Sequence, residues 1–148
     1  MTHPFYPSGN PRLNHVAMSV PADQLDEANR AELVRFYHDV LGFDELPTMT
    51  VDRSRLIFSC VHWDQFIFLI AEDDPMRCPR LDHFGFSVST RAELDAVWDR
   101  AVAFRDQDPR LDIIDPSIDD QGVVKIHSIY LGYLLPMMCE LQYWEFAS

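Results

Sequence analysis

One nine-residue pattern occurs twice in this chain, and it constrains the fold more than any other feature. The copies are RLNHVAMSV at 12–20 and RLDHFGFSV at 80–88. Because side chains alternate across a strand, each copy puts its histidine beside small residues on one face and large apolar residues on the other. The sequence therefore predicts a duplicated strand that is packed on one face and open around a histidine on the other.

A helical pattern follows each copy of the strand. NRAELVRFYHDVLGF at 29–43 has its apolar residues on one helical face, with Asn29 expected as the N-cap and Gly42 as the end. STRAELDAVWDRAVAF at 89–104 has the same spacing and begins with the capping box Thr90 and Glu93. The predicted buried faces consist of Leu33, Phe36, Tyr37, Val40 and Leu41 in the first helix, and Leu94, Val97, Trp98, Ala101 and Val102 in the second.

Three runs typical of strands follow each helix, so each half of the chain has the order βαβββ. The first set is PTMTV, RLIFSCV and DQFIFLIA; the second is RLDIID, VVKIHSIYL and LPMMCELQYW. No Gly- or Ser-rich linker separates the halves. The sequence predicts one α+β domain over 1–148, with a first module at 11–75, a second at 79–146, and AEDDPMRCPR as the connection.

Charge and cysteine content exclude several functions. A net charge of −12 disfavours binding to nucleic acid or to an anionic membrane surface. The three cysteines lack C-x-x-C spacing, which argues against a disulfide framework or a zinc knuckle. The chain shows neither a signal-peptide pattern nor a stretch long enough to cross a bilayer. We expect a cytoplasmic protein that binds a small molecule.

The duplicated strand L-x-H-x-x-x-S-V and the helix ending F-Y-x-x-x-L-G-F resemble the vicinal oxygen chelate superfamily. That group includes glyoxalase I, extradiol dioxygenases and bleomycin-resistance proteins. The resemblance implies that the two βαβββ modules form an open, cup-shaped mixed sheet around a divalent metal. The metal ligands that it implies are His15, His83 and Glu140.

The chemistry of these residue types agrees with a metal site. Two imidazoles and one carboxylate are the ligand set of non-haem Fe(II) oxygenases, so Fe(II) is favoured, with Mn, Ni or Zn as alternatives. Strand alternation puts Glu140 on one face of an otherwise apolar run, and a buried carboxylate is costly unless paired or metal-bound. Glu72 lies the same 68 residues before Glu140 as His15 before His83, so it could be a fourth ligand; a solvated turn residue is the preferred interpretation.

The segment HSIYLGYLLPMMCELQYW resembles the last strands of the extradiol dioxygenases in particular. This resemblance implies that Tyr130 contacts the bound oxygen and is catalytic. Phe66, Phe68 and Trp144 are candidates for an apolar substrate pocket. Phe68, or an apolar neighbour, occupies the position of the dioxygenase acid/base histidine, and the possible replacements, His62 and His127, are more typical of structural residues.

Three functions follow, and the sequence leaves open whether the protein is an enzyme. The first is an Fe(II) extradiol-type dioxygenase acting on a catechol-like substrate. The alternatives are a lyase or isomerase of the glyoxalase type, and a non-catalytic protein that sequesters a drug or another small ligand. Exposed aromatic residues, including Trp63, Tyr143 and Trp144, predict a homodimer.

Overall fold

The computed structural model describes residues 11–47 and 53–147, which form two helices and eight strands. The helices are α1 (Glu27–Leu41) and α2 (Arg91–Gln107), and a 3-10 helix (Ala22–Leu25) precedes α1. The strands of the first half are β1 (His15–Pro21), β2 (Asp44–Glu45), β3 (Arg55–Ser59) and β4 (Phe66–Glu72). Those of the second half are β5 (His83–Ser87), β6 (Asp112–Asp120), β7 (Val124–Gly132) and β8 (Met138–Phe146).

The strands form two open four-stranded mixed sheets, one from each half of the chain. Sheet 1 has the order β1-β4-β3-β2 and sheet 2 the order β5-β8-β7-β6. The pairs β1–β4 and β5–β8 are parallel, and the other neighbouring pairs are antiparallel. The predicted α+β fold with two βαβββ modules is therefore confirmed. The run PTMTV lies largely outside the described residues.

The helix ends follow local sequence signals, with one correction. Thr90 and Glu93 form the predicted capping box of α2. Gly42 ends α1 with φ of +74°, a conformation that glycine adopts without strain. The expectation that Asn29 caps α1 was wrong: the helix begins at Glu27, and the Asp26 side chain accepts a hydrogen bond from the Asn29 amide. Neither described helix is long and apolar enough to cross a membrane.

One face of each sheet packs against the helices in a shared core. Its fully buried residues include Leu33, Phe36, Tyr37, Leu56, Phe58, Ile67, Leu69, Ile129 and Leu131.

The face of each sheet that points away from the helices is called the open face. From the strand register, the open face of sheet 1 carries His15, Ala17, Ser19, Arg55, Ile57, Ser59, Phe66, Phe68 and Ile70. That of sheet 2 carries His83, Gly85, Ser87, Ser128, Tyr130, Met138, Glu140, Gln142 and Trp144.

A buried carboxylate joins the end of α2 to the segment after β7. Asp108 accepts hydrogen bonds from the Tyr133 hydroxyl at 2.7 Å and from Arg110 Nη2 and Nε at 2.6 and 2.9 Å. These hydrogen bonds, from Arg110 first, hold the pKa of Asp108 well below its ordinary value. Arg110 also pairs with Glu32 of α1 at 2.8 Å. The cluster therefore connects α1, the end of α2 and the segment after β7.

Candidate functional site

His83 and Glu140 meet on the open face of sheet 2. Glu140 lies opposite Gly85 in the parallel pair of β5 and β8, and its Oε2 is 3.3 Å from His83 Nε2. The other ring nitrogen, Nδ1, is 2.8 Å from the Leu81 carbonyl, which can only accept a hydrogen bond. Nδ1 therefore carries a proton, and Nε2 faces the carboxylate. Two electron-rich atoms, His83 Nε2 and Glu140 Oε2, converge there, which is a favourable position for a metal cation.

Glu140 is 6% exposed, and its carboxylate is held by neighbours on the same face. Burial raises the pKa of Glu140, but hydrogen bonds from Tyr130, Gln142 and Ser128, with the charge of His83, outweigh it and the pKa lies below its ordinary value. The carboxylate is thus an anion at neutral pH. An oriented, ionised carboxylate beside an imidazole is a suitable donor pair for a divalent metal.

Tyr130 lies beside both candidate ligands. Its ring meets that of His83 edge to face, with centroids 5.2 Å apart. The hydrogen bond to Glu140, together with burial, raises the pKa of Tyr130 to about 12. At neutral pH Tyr130 is therefore a protonated phenol that donates to Glu140, and it is not a base.

Gly85 leaves the space that Glu140 occupies. A Cβ added at Gly85 would lie 3.4 Å from Glu140 Oε2. Alanine would therefore touch the carboxylate, and a branched side chain would displace it.

We expect Gly85→Val to weaken divalent metal binding while the fold persists, because its methyl groups would occupy the position of the carboxylate. Isothermal titration with Mn(II) measures the affinity, and circular dichroism checks the fold. Ser87→Val, two residues along the same face of β5, is the matched control and should bind Mn(II) as the wild type does. Equal affinities for both variants would contradict this role of Gly85.

His15 presents its Nε2 in the same way but on sheet 1. Its Nδ1 is 2.8 Å from Asn14 Oδ1, and its ring stacks on Phe66 with centroids 4.9 Å apart. His15 and His83 line one cavity of about 340 Å³. Its other lining residues are mainly apolar and include Leu13, Val16, Phe66, Phe84 and Phe86.

The three implied ligands do not form a complete cluster within the described part of the chain. Among residues 11–47 and 53–147, no three His, Cys, Asp or Glu side chains are grouped closely enough to hold a metal ion. The structure brings His83 and Glu140 into contact and places His15 on the wall of the same cavity as His83.

The register identifies the position in sheet 1 that corresponds to Glu140. Glu140 pairs with the second residue after His83, and Phe68 pairs with the second residue after His15. Phe68 is therefore the counterpart of Glu140. Glu72 lies four residues further along, exposed at the end of β4, as expected of a solvated turn residue.

The remaining sequence candidates are divided between the two sides of the sheets. Trp144 is on the open face, 43% exposed, and donates to Gln142 Oε1. His127 is on the helix side, within hydrogen-bond distance of Arg91 and Glu145. Tyr143 packs over His127 there and does not belong to an exposed aromatic patch. His62 is in the turn between β3 and β4.

Sequence reasoning missed the residues that orient the candidate ligands. Ser128 and Gln142 hydrogen-bond to Glu140, and Asn14 fixes the His15 ring. The first two share strand parity with Tyr130 and Glu140, so alternation could have identified them once the register of β7 and β8 was known.

Comparisons with solved structures place the fold. The lactoylglutathione lyase of Agrobacterium tumefaciens matches with a TM-score of 0.62 and 17% identity, over 91% of this chain and 95% of that one. The fosfomycin resistance protein FosX of Listeria monocytogenes matches with a TM-score of 0.61 and 16% identity, over 95% and 96%. A variant of FosX complexed with Mn(II) and 1S,2S-dihydroxypropylphosphonic acid matches with a TM-score of 0.60 and 18% identity, over 88% and 89%.

At these identities the likeness shows the fold alone, and the fold implied by the sequence resemblance is confirmed. The closer likeness to extradiol dioxygenases stays a prediction. No protein-family model matches this sequence, and no curated protein matches it.

Proposed function

We propose that the protein is a divalent-metal-dependent enzyme that binds a small molecule through two neighbouring oxygen atoms. The observation that carries this proposal is the approach of His83 Nε2 to Glu140 Oε2 at 3.3 Å, with the Nδ1 proton held by Leu81. Glu140 and His83 would hold the metal, with His15 as the third ligand. A metal bound there would act as a Lewis acid on the substrate oxygens.

The chain's own residues would orient the ligands and exclude water. Tyr130 donates to Glu140 and fixes its carboxylate. Phe66 supports the His15 ring by stacking and also lines the cavity. An apolar wall around a single polar end suits a substrate whose oxygens face the metal and whose carbon skeleton faces the phenylalanines.

Extradiol ring cleavage is the second candidate, favoured by the position of Tyr130 beside both His83 and Glu140. It needs a proton acceptor near the metal, and the sequence resemblance puts Phe68 or an apolar neighbour, which cannot accept a proton, at the position of that acceptor. The matching FosX variant is complexed with Mn(II), so the comparison supports a divalent metal in this protein but gives no reason to prefer Fe(II).

Anaerobic loading with Fe(II) or Mn(II) separates these candidates. We expect stoichiometric uptake of either ion. Addition of catechol and dioxygen to the Fe(II) protein should produce the yellow ring-cleavage product if the extradiol proposal is correct. Turnover of a hemithioacetal or an epoxide by the Mn(II) protein, without oxygen consumption, would favour the glyoxalase-like alternative. Ligand binding with neither reaction would indicate a sequestering protein.

We also propose that the protein is a homodimer. The turn between β3 and β4 presents two large apolar side chains to solvent, Val61 at 65% exposure and Trp63 at 70%. Covering such surface is favourable by about 25 cal/mol per Å². Light scattering at micromolar concentration should give twice the mass of the 17.2 kDa chain, and a monomer would contradict the proposal.

A dimer allows the third ligand to come from either copy, and mixing two variants identifies the source. His15→Ala and Glu140→Ala should each lack metal when alone. If His15 of one copy joins Glu140 of the other, refolding the two variants together restores metal binding in part. If all ligands come from one chain, the mixture stays empty.

A further inference from the structure

The open face of sheet 1 carries two aromatic rings, each covered by a nitrogen-containing side chain. The His15 ring stacks on Phe66 with centroids 4.9 Å apart. The Arg55 guanidinium carbon lies 5.9 Å from the centroid of Phe68, within the range of a cation–π contact. Phe66 and Phe68 are neighbours on the same face of β4, about 7 Å apart along the strand. Arg55 therefore reaches back along this face toward His15.

Arg55 differs from most other arginines of this acidic chain. Each of Arg12, Arg30, Arg53, Arg80, Arg91 and Arg110 forms an ion pair with a carboxylate. In the part of the chain that the structure describes, no carboxylate pairs with Arg55. Its neighbours on the open face are the apolar side chains Ile57, Phe68 and Ile70. A guanidinium on an apolar face is a suitable partner for an incoming anion.

We propose that Arg55 binds a carboxylate of the substrate and thereby selects anionic substrates. This inference rests on the proposed function, because His15 marks the metal end of the same face. The spacing of Phe66 and Phe68 fits a molecule one aromatic ring long, with vicinal oxygens at one end and the carboxylate at the other. A protein of net charge −12 repels anions in general, so a local cation is needed for such a ligand to bind.

The charge balance favours a carboxylate over a phosphonate. One guanidinium neutralises one negative charge and forms two parallel hydrogen bonds with a carboxylate. A dianionic phosphonate would keep an uncompensated charge against an apolar face, which is unfavourable.

The test compares an acid with its neutral amide. Equilibrium dialysis of chelator-treated protein with 3,4-dihydroxybenzoate and 3,4-dihydroxybenzamide measures the contribution of the carboxylate alone. We expect the wild type to bind the acid about tenfold more tightly, the effect of one charge-assisted contact. Arg55→Met should bind both compounds equally, and Arg55→Lys should keep part of the preference. Arg105→Met removes one exposed positive charge on α2 and should keep the full preference.

The outcomes separate this inference from the proposed function. Adding Mn(II) should tighten binding of both compounds in the wild type, and Glu140→Gln should remove that gain while the preference for the acid remains. A missing Mn(II) effect with an intact preference would count against the metal site only. The inference is overturned if the wild type shows no preference, if Arg55→Met keeps it, or if 3,4-dihydroxyphenylphosphonate binds more tightly than the benzoate.

Discussion

Replacing Asp108 with asparagine should lower the free energy of unfolding by about 2–4 kcal/mol, because the carboxylate is buried but the side chain of its partner Arg110 is 47% exposed, which makes the loss smaller than for a fully buried ion pair. The substitution would leave Arg110 and the buried Tyr133 hydroxyl facing a neutral amide whose NH₂ group cannot accept from them. For a chain of this length the midpoint of thermal unfolding should fall by about 10 °C. Urea unfolding followed by circular dichroism measures the change.

Asp112→Asn is the matched control for this prediction. Asp112 also accepts two hydrogen bonds from one arginine, Arg80, but the side chains are 43% and 58% exposed. Because solvent screens such a pair, its loss should cost no more than about 1 kcal/mol. Equal losses for the two variants would contradict the structural role assigned to Asp108.

The pH dependence of stability follows from the same carboxylate. Arg110 and Tyr133 hold the pKa of Asp108 below its ordinary value in the folded state. The stabilisation is therefore complete above a pH of about 4, where the unfolded carboxyl is ionised, and is lost as the pH falls toward the folded pKa. Asp108→Asn should flatten this acid limb, and an unchanged limb would show that other carboxylates determine it.

Glu140→Gln should reduce divalent metal affinity by roughly 100-fold or more, since even changes to residues that support a ligand cost 10–100-fold. Glutamine keeps the shape of the side chain and an acceptor for Tyr130, but it removes the anionic donor beside His83. The fold should persist, because 148 residues bury a sufficient core without a metal. Metal content after dialysis, measured by plasma emission spectroscopy, gives the result.

Glu72→Gln controls for the loss of one negative charge. Glu72 is exposed at the end of β4, and Phe68 occupies the position that corresponds to Glu140. Metal content should therefore stay at the wild-type level. A clear loss in Glu72→Gln would restore the four-ligand alternative, and full occupancy in Glu140→Gln would remove Glu140 from the site.

Sequence periodicity predicted the elements well where the signal was local. The Thr90 capping box and the Gly42 stop depend on neighbouring residues only, and both are present. The start of α1 was misplaced because Asp26 and Asn29 are both good caps one turn apart. The Asp26 carboxylate, which accepts from the Asn29 amide, determines the start, and spacing alone does not reveal which residue forms that bond.

The site was predictable in part for the same reason. Alternation predicted that Glu140 points to one face of its strand, and the structure adds that Tyr130 is its partner in the β7–β8 pair on that face. The counterpart of Glu140 in sheet 1 depends on the register between β1 and β4, which are separated by a helix and two strands. The two halves have connections of different length, so a constant sequence offset does not give the strand register. The offset of 68 residues matches Glu72 to Glu140, whereas the register of β1 and β4 makes Phe68 the structural counterpart of Glu140.

The most direct test of the metal site is a crystal of the protein grown with Mn(II) and measured at a wavelength where manganese scatters anomalously. The proposal predicts one strong anomalous peak about 2.0–2.2 Å from His83 Nε2 and a Glu140 oxygen, with a His15 Nε2 as the third protein ligand. A peak at another position, or full Mn(II) binding in solution with no peak beside His83 Nε2 and Glu140 in the crystal, would contradict it.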